Sequence, residues 1–276
     1  MRFVLSLVVS LSLSAASVDG LKIHSTTTGA GPKTVILVHG WTCDESSWSE
    51  QAPALAKQYR VITLDLPGHG KSDTPKVDAF SMDLFARAIE AVRAETKVER
   101  IVLVGHSMGS PVIIKYAQLH PEHTIALVLV DGLMPAVQNP NAQNPNARAA
   151  RPKRSVAMTG AAGPKNREAM IRGFFSVSTT PAMQQKILDM MLGASETTAV
   201  GAMDATDDPT TPANWTLKIP ALGIYASRPL ASREAVQAHF PNAEYTQIPE
   251  TGHFLMMEKP AEFNRILLGF LAKQTY

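Results

Sequence analysis

Gly105-His106-Ser107-Met108-Gly109 sets a serine between two glycines, directly after the apolar run Arg100 to Val104 and at the start of a helical pattern. A strand-turn-helix context of this kind pushes a serine hydroxyl out above the carboxyl edge of a sheet, where it can attack a carbonyl carbon. Ser107 is the expected nucleophile. A serine hydroxyl needs a base to take its proton, and Gly252-His253-Phe254 offers one in the loop after the last strand signal. His253 is the expected base. His106 points away from the serine in such a turn, His69 belongs to the turn PGHG, and His120, His123 and His239 have surface-like contexts.

Acyl transfer also needs two backbone N–H groups aimed at the developing oxyanion. Met108, the residue after the nucleophile, is one expected donor. Trp41 is the other, in the loop that opens with His39-Gly40 after the run VILV.

These residues need a rigid support, and the chain supplies a pattern for one. Lys33 to Val38, Arg60 to Leu64, Arg100 to Val104, Ile125 to Val130, Ala221 to Tyr225 and Glu244 to Ile248 read as strands, and Leu21 to Thr28 as an antiparallel edge strand. Most are continuous apolar or β-branched runs, as strands covered on both faces require. Ala79 to Glu95, Met108 to His120 and Pro260 to Ala272 carry apolar residues at helical spacing. The fold class is α/β, a mainly parallel sheet between helical layers. Residues 18–132 and 216–276 form the core on this reading, and 133–215 an inserted, mostly helical cap, with a loop-like NPNAQNPNARAARPK stretch and many methionines. Such methionines suit an adaptable apolar pocket.

Residues 1–17 have one basic residue, an apolar run and small residues before a cut after Ser17, the layout of a secretory signal peptide. Export to the periplasm or medium of a bacterium is expected, with no stable membrane insertion. The lone Cys43 cannot form an internal disulfide and reads as a packing residue. With 26 basic and 24 acidic residues, net charge +2, no nucleic-acid partner is expected. No metal-ligand spacing is found, and Asp65 and His69 in DLPGHG read as parts of a turn.

The segments ILVHGW, DLPGHGKSD, LVGHSMGS, LVLVDG, KIPALGIY and PETGHF together resemble the α/β-hydrolase superfamily, in the branch of single-domain bacterial hydrolases with a cap after the sixth strand. The resemblance implies a Ser-His-acid site, no cofactor, and a small-molecule ester or lactone as substrate. Carbon–carbon bond hydrolases, perhydrolases and amidases share the fold, as do non-catalytic ligand-binding homologues. Relatives that act on haloalkanes or epoxides use Asp at the elbow, where this chain has Ser107. The resemblance also implies an acid after the strand ALGIY, but Ala226 to Ser232 contains no carboxylate. Some members take the acid from the preceding strand end, which points to Asp131. Asp204, Asp207 and Asp208 stand as alternatives, with Glu234 and Glu250 behind them. An acid-less dyad stays open.

Overall fold

The computed structural model describes residues 16–134, 153–206 and 215–276. Two short strands, β1 (Ser17–Val18) and β2 (Leu21–Lys22), form a hairpin. The strands β3 (Ser25–Thr28), β4 (Thr34–Val38), β5 (Arg60–Leu64), β6 (Ile101–His106), β7 (Thr124–Val130), β8 (Ala221–Tyr225) and β9 (Glu244–Gln247) build one sheet in the order β3-β5-β4-β6-β7-β8-β9. Only β3 runs antiparallel to its neighbour. The single expected strand over 21–28 is therefore split. Its middle is held by the 65–73 loop instead: Lys22 N–H donates to Asp73 Oδ2, His24 N–H to Ser72 Oγ, and Asp65 N–H to the His24 carbonyl.

β4, β6, β7 and β8 are buried along their whole lengths. Helices cover both faces of such a sheet, which is why these strands are apolar at successive positions rather than at alternate ones. The helices of the core are α1 (Ala52–Leu55), α2 (Met82–Glu95) and α3 (Gly109–Leu119). The described part of the insertion holds α4 (Gly163–Arg172), α5 (Pro181–Leu192) and α6 (Glu196–Thr206). α7 (Arg233–His239), α8 (Leu255–Glu258) and α9 (Pro260–Ala272) complete the core. α2 starts three residues later than its apolar spacing suggests, because the Ser81 side chain accepts from Leu84 N–H and caps it.

The register decides where the chemistry sits. Val38 pairs with Gly105, Gly105 with Leu129, and Val130 with Ile224. The carboxyl ends of β4, β6, β7 and β8 thus lie level, so the residues that follow them emerge at one edge. In open α/β sheets ligands bind at that edge.

Of the amino-terminal segment, Ala16 and Ser17 are described. Ala16 is buried and its carbonyl accepts from Ile23 N–H, while Ser17 pairs with Lys22. A cut after Ser17 would remove these contacts. The bidentate pair of Arg87 with Asp19, at 2.6 and 2.8 Å, would remain.

Candidate active site

The turn between β6 and α3 forces an unusual backbone. Ser107 has φ 52°, in the left-handed region. A non-glycine residue there costs on the order of 1–3 kcal/mol and persists only where its surroundings hold it. Here Ser107 N–H donates to the Val130 carbonyl at 2.9 Å, and the Ser107 carbonyl accepts from Ser110 N–H at 3.0 Å. The flanking glycines are required by close approach. A Cβ at Gly105 would lie 2.4 Å from the Gly109 oxygen, and one at Gly109 2.5 Å from the Val38 oxygen. The elbow can pack against β4 only without those side chains.

Asp131 leaves β7 with φ 38°. Its Oδ2 lies 2.7 Å from His253 Nδ1, and both side chains are almost fully buried. With Nδ1 engaged by the carboxylate, Nε2 is the nitrogen left for proton transfer. Asp131 Oδ1 accepts from the N–H groups of Ala226 and Leu230, at 3.3 and 3.4 Å. The loop after β8 thus contributes backbone donors to the Asp131 carboxylate and no carboxylate of its own. Burial, and then the nearby Asp131 charge, pushes the Tyr225 hydroxyl pKa up. No hydrogen bond joins Ser107 Oγ to His253 among the described residues; such contacts are often long in unliganded sites and tighten with substrate.

Backbone geometry prepares the two N–H groups expected to face an oxyanion. Neither Trp41 N–H nor Met108 N–H donates a hydrogen bond among the described residues. His39, buried, donates from Nδ1 to the Gly40 carbonyl at 2.8 Å and accepts from Leu66 N–H at Nε2. Cys43 N–H donates to the same Gly40 carbonyl. That carbonyl and Trp41 N–H belong to one trans peptide, so they point in opposite directions. Holding the carbonyl holds the N–H away from it. Burial lowers the His39 pKa, against the pull of Asp65, and keeps the ring neutral in this tautomer.

His106 lies beneath His253. Its Nε2 donates to the His253 carbonyl at 2.9 Å, and the two rings are 4.6 Å apart. Burial, with the His253 charge second, holds its pKa well below the ordinary value. The cap reaches the site at two points. Trp41 Nε1 donates to the Ala199 carbonyl on α6 at 2.9 Å. On the other side the Phe174 ring lies 4.6 Å from that of His253, and the Phe174 carbonyl accepts from His253 N–H.

The alternative acids lie elsewhere. Asp204 pairs with Lys153 on the cap. Glu250 pairs with Lys259, and Glu234 is exposed in the first turn of α7. Asp207 and Asp208 lie outside the described residues. His239, expected at the surface, is buried and stacked on Trp215 at 4.1 Å. His69 is buried, and burial, with His39 second, pushes its pKa down to about 3. Cys43 is buried, and desolvation drives its thiol pKa far up, so it holds no reactive thiolate.

The fold gathers one group that no spacing announces. His24, Glu45 and Asp65 place ligand-type atoms within 4.8 Å of one another. These atoms already serve one another and the chain. His24 Nε2 and Lys71 Nζ lie 2.8 and 3.2 Å from Glu45 Oε1, Thr63 donates to Oε2, and Asp65 takes the N–H groups of Glu45 and Lys71. The network is a strut under the β4 and β5 loops, with the Lys71 ammonium supplying the cation.

Residues 33–188 match the family described as the alpha/beta hydrolase fold. The chain is 30% identical over 272 residues to a 2-hydroxy-6-oxononadienedioate/2-hydroxy-6-oxononatrienedioate hydrolase of Paraburkholderia phymatum, covering 92% of each. Among solved structures it is similar to a thermophilic esterase from Thermogutta terrifontis, with TM-score 0.79, 25% identity, and coverage of 96% of this chain and 98% of that one. It shares the fold of the enol-lactonase from Burkholderia xenovorans LB400, with TM-score 0.78, 21% identity, and coverage of 95% and 100%. The chain belongs to the alpha/beta hydrolase family and is a hydrolase.

Proposed function

We propose that the chain is a serine hydrolase that cleaves a carboxylic ester or lactone through an acyl-enzyme. The observation that carries this reading is the buried His253–Asp131 pair, 2.7 Å apart, at the sheet edge where the strained Ser107 turn emerges. His253 Nε2 takes the hydroxyl proton as Ser107 Oγ bonds to the carbonyl carbon. The carbonyl electrons move to oxygen, and the N–H groups of Trp41 and Met108 receive that charge. Collapse expels the alcohol, which takes the proton from His253. A water, deprotonated by His253, then attacks the acyl carbon and releases Ser107 and the acid. Asp131 holds the imidazole tautomer and stabilises the imidazolium throughout.

The test is a set of p-nitrophenyl esters of increasing acyl length with several lactones, beside labelling by a fluorophosphonate probe. Turnover and labelling are expected in the wild type, with both abolished in Ser107→Ala. A wild-type protein that does neither overturns the reading and favours a non-catalytic binding role. The Paraburkholderia relative supports a second reading, carbon–carbon bond hydrolysis of a 2-hydroxy-6-oxo-dienedioate. Faster turnover of such a dienedioate than of any ester or lactone would favour it.

Export is part of the same proposal, supported by the apolar run and small residues of 1–17. Expressed in a bacterial host, the mature protein should start at Val18 in the periplasm or medium. Full-length protein confined to the cytoplasm would refute it.

A further inference from the structure

We propose that Glu258 is a positioning residue that clasps the cap to the loop carrying His253; the inference rests on His253 being the base. Glu258 is the last residue of α8, five positions after that histidine. Its Oε2 accepts from Gly252 N–H at 2.7 Å and from Ser176 Oγ at 2.8 Å, and its Oε1 accepts from Thr179 Oγ1 at 2.8 Å. One donor belongs to the histidine loop and two belong to the cap. Among the described residues this carboxylate makes no ion pair. Hydrogen bonds to a charged acceptor are the stronger kind, and three of them converge on one side chain that bridges two parts of the molecule.

The cap side is preorganised to meet it. Ser176 N–H donates to Thr179 Oγ1, Ser178 N–H to Ser176 Oγ, and Thr179 N–H to the Ser176 carbonyl. The hydroxyls that bind Glu258 are therefore also the ones that build the turn. Val177 at its tip is 98% exposed, so apolar packing there does not hold the turn down.

The clasp acts on the base. Two residues before this turn, Phe174 gives its carbonyl to His253 N–H at 3.0 Å and lays its ring over the imidazole. The His253 carbonyl is taken from the opposite side by His106. The backbone of the base is thus bracketed, with the core on one side and the cap on the other. Gly252 allows this closeness, since a Cβ there would lie 2.5 Å from the Phe174 oxygen and 3.0 Å from Glu258 Oε1. Without the Glu258 carboxylate, the turn loses its hold and half of the bracket goes with it.

The experiment compares wild type, Glu258→Ala, the cap-side pair Ser176→Ala with Thr179→Val, and the combination. A misplaced reacting group costs up to about 100-fold, so Glu258→Ala should lower both fluorophosphonate labelling of Ser107 and kcat for a p-nitrophenyl ester by about 10- to 100-fold, with a smaller change in KM. The cap-side pair should show the same loss, and the combination no further loss, because all the variants break one clasp. Trypsin cleavage after the exposed Arg172 should speed up in each. The cap-side pair keeps the core sequence intact and so covers the case in which Glu258→Ala fails to fold. Labelling at the wild-type rate in either folded variant, or losses that multiply in the combination, would overturn the clasp. A wild-type protein that does not label would count against the proposed chemistry instead.

Discussion

At the scale of single residues, the site depends on groups that fix other groups. Asp131 fixes the His253 tautomer. Asp131→Asn would place an amide N–H against Nδ1 and favour the wrong tautomer, for which the serine-protease template loses about 10⁴ in kcat. Loss of that order, with a normal melting temperature, is expected; activity within a few-fold of wild type would remove Asp131 from the mechanism. His39 plays the same part for the Gly40–Trp41 peptide, the oxyanion donor of the proposed mechanism, since its Nδ1–H pins the Gly40 carbonyl. His39→Ala should cost about 10²–10³ in kcat, the range seen when one oxyanion donor is lost, while KM changes little. The elbow at Ser107 and the loop placement of His253 could be read from the sequence because each sits in a local motif with its own strand and helix context. Asp131 could be named only as the favoured one of several acids. Its partnership depends on two neighbouring strand ends, and on the loop after β8 turning its Ala226 and Leu230 N–H groups inward. The role of His39 had no sequence signal beyond its place at the end of a strand.

Elements set the precision of those contacts. The apolar strands and the helices α3 and α9 were legible because burial on both faces, or on one helical stripe, leaves a periodic trace. The split of the edge strand near Ile23 and the docking of the cap were not, since both rest on long-range bonds to loops. Trp41 Nε1 to the Ala199 carbonyl spans 158 positions, and Thr198 Oγ1 to the Gly68 carbonyl spans 130. The elbow is the clearest test at this scale. Gly109→Ala places a methyl 2.5 Å from the Val38 oxygen, against backbone that β4 holds in register with β6. Overpacking of this kind costs about 1–3 kcal/mol or more, and at about 2–4 °C per kcal/mol the melting temperature should fall by several degrees. Ser110→Ala removes a side-chain bond to the Gly105 carbonyl in the same turn without adding bulk, and should cost less. An unchanged melting temperature in Gly109→Ala would mean that β4 and the elbow do not approach as described.

For the whole molecule, the buried histidines make stability depend on pH. Burial depresses the pKa of His69 to about 3 and holds that of His106 well below its ordinary value. Each is neutral in the folded state and has an ordinary pKa near 6.5 when unfolded. Because the folded pKa is the lower one, the unfolded chain binds protons first as pH falls. The full stability is present above about pH 6.5 and is lost as pH falls from there toward the folded pKa values. At pH 5.5 His69 alone removes about 1.4 kcal/mol relative to pH 8, and His106 acts in the same direction. Asp65 opposes this, since burial raises its pKa and the folded state gains from its protonation. Glu45 and Glu90, whose pKa values lie below the usual carboxylate range, add to the loss only in more acidic solution. The loss between pH 6.5 and 5 therefore comes from the histidines and not from these two glutamates. Thermal melts at intervals between pH 8 and 5 should show a plateau and then a decline starting near 6.5, and His69→Asn should make that decline shallower. A melting temperature that stays level down to pH 5 would show that these rings are not held neutral inside the fold.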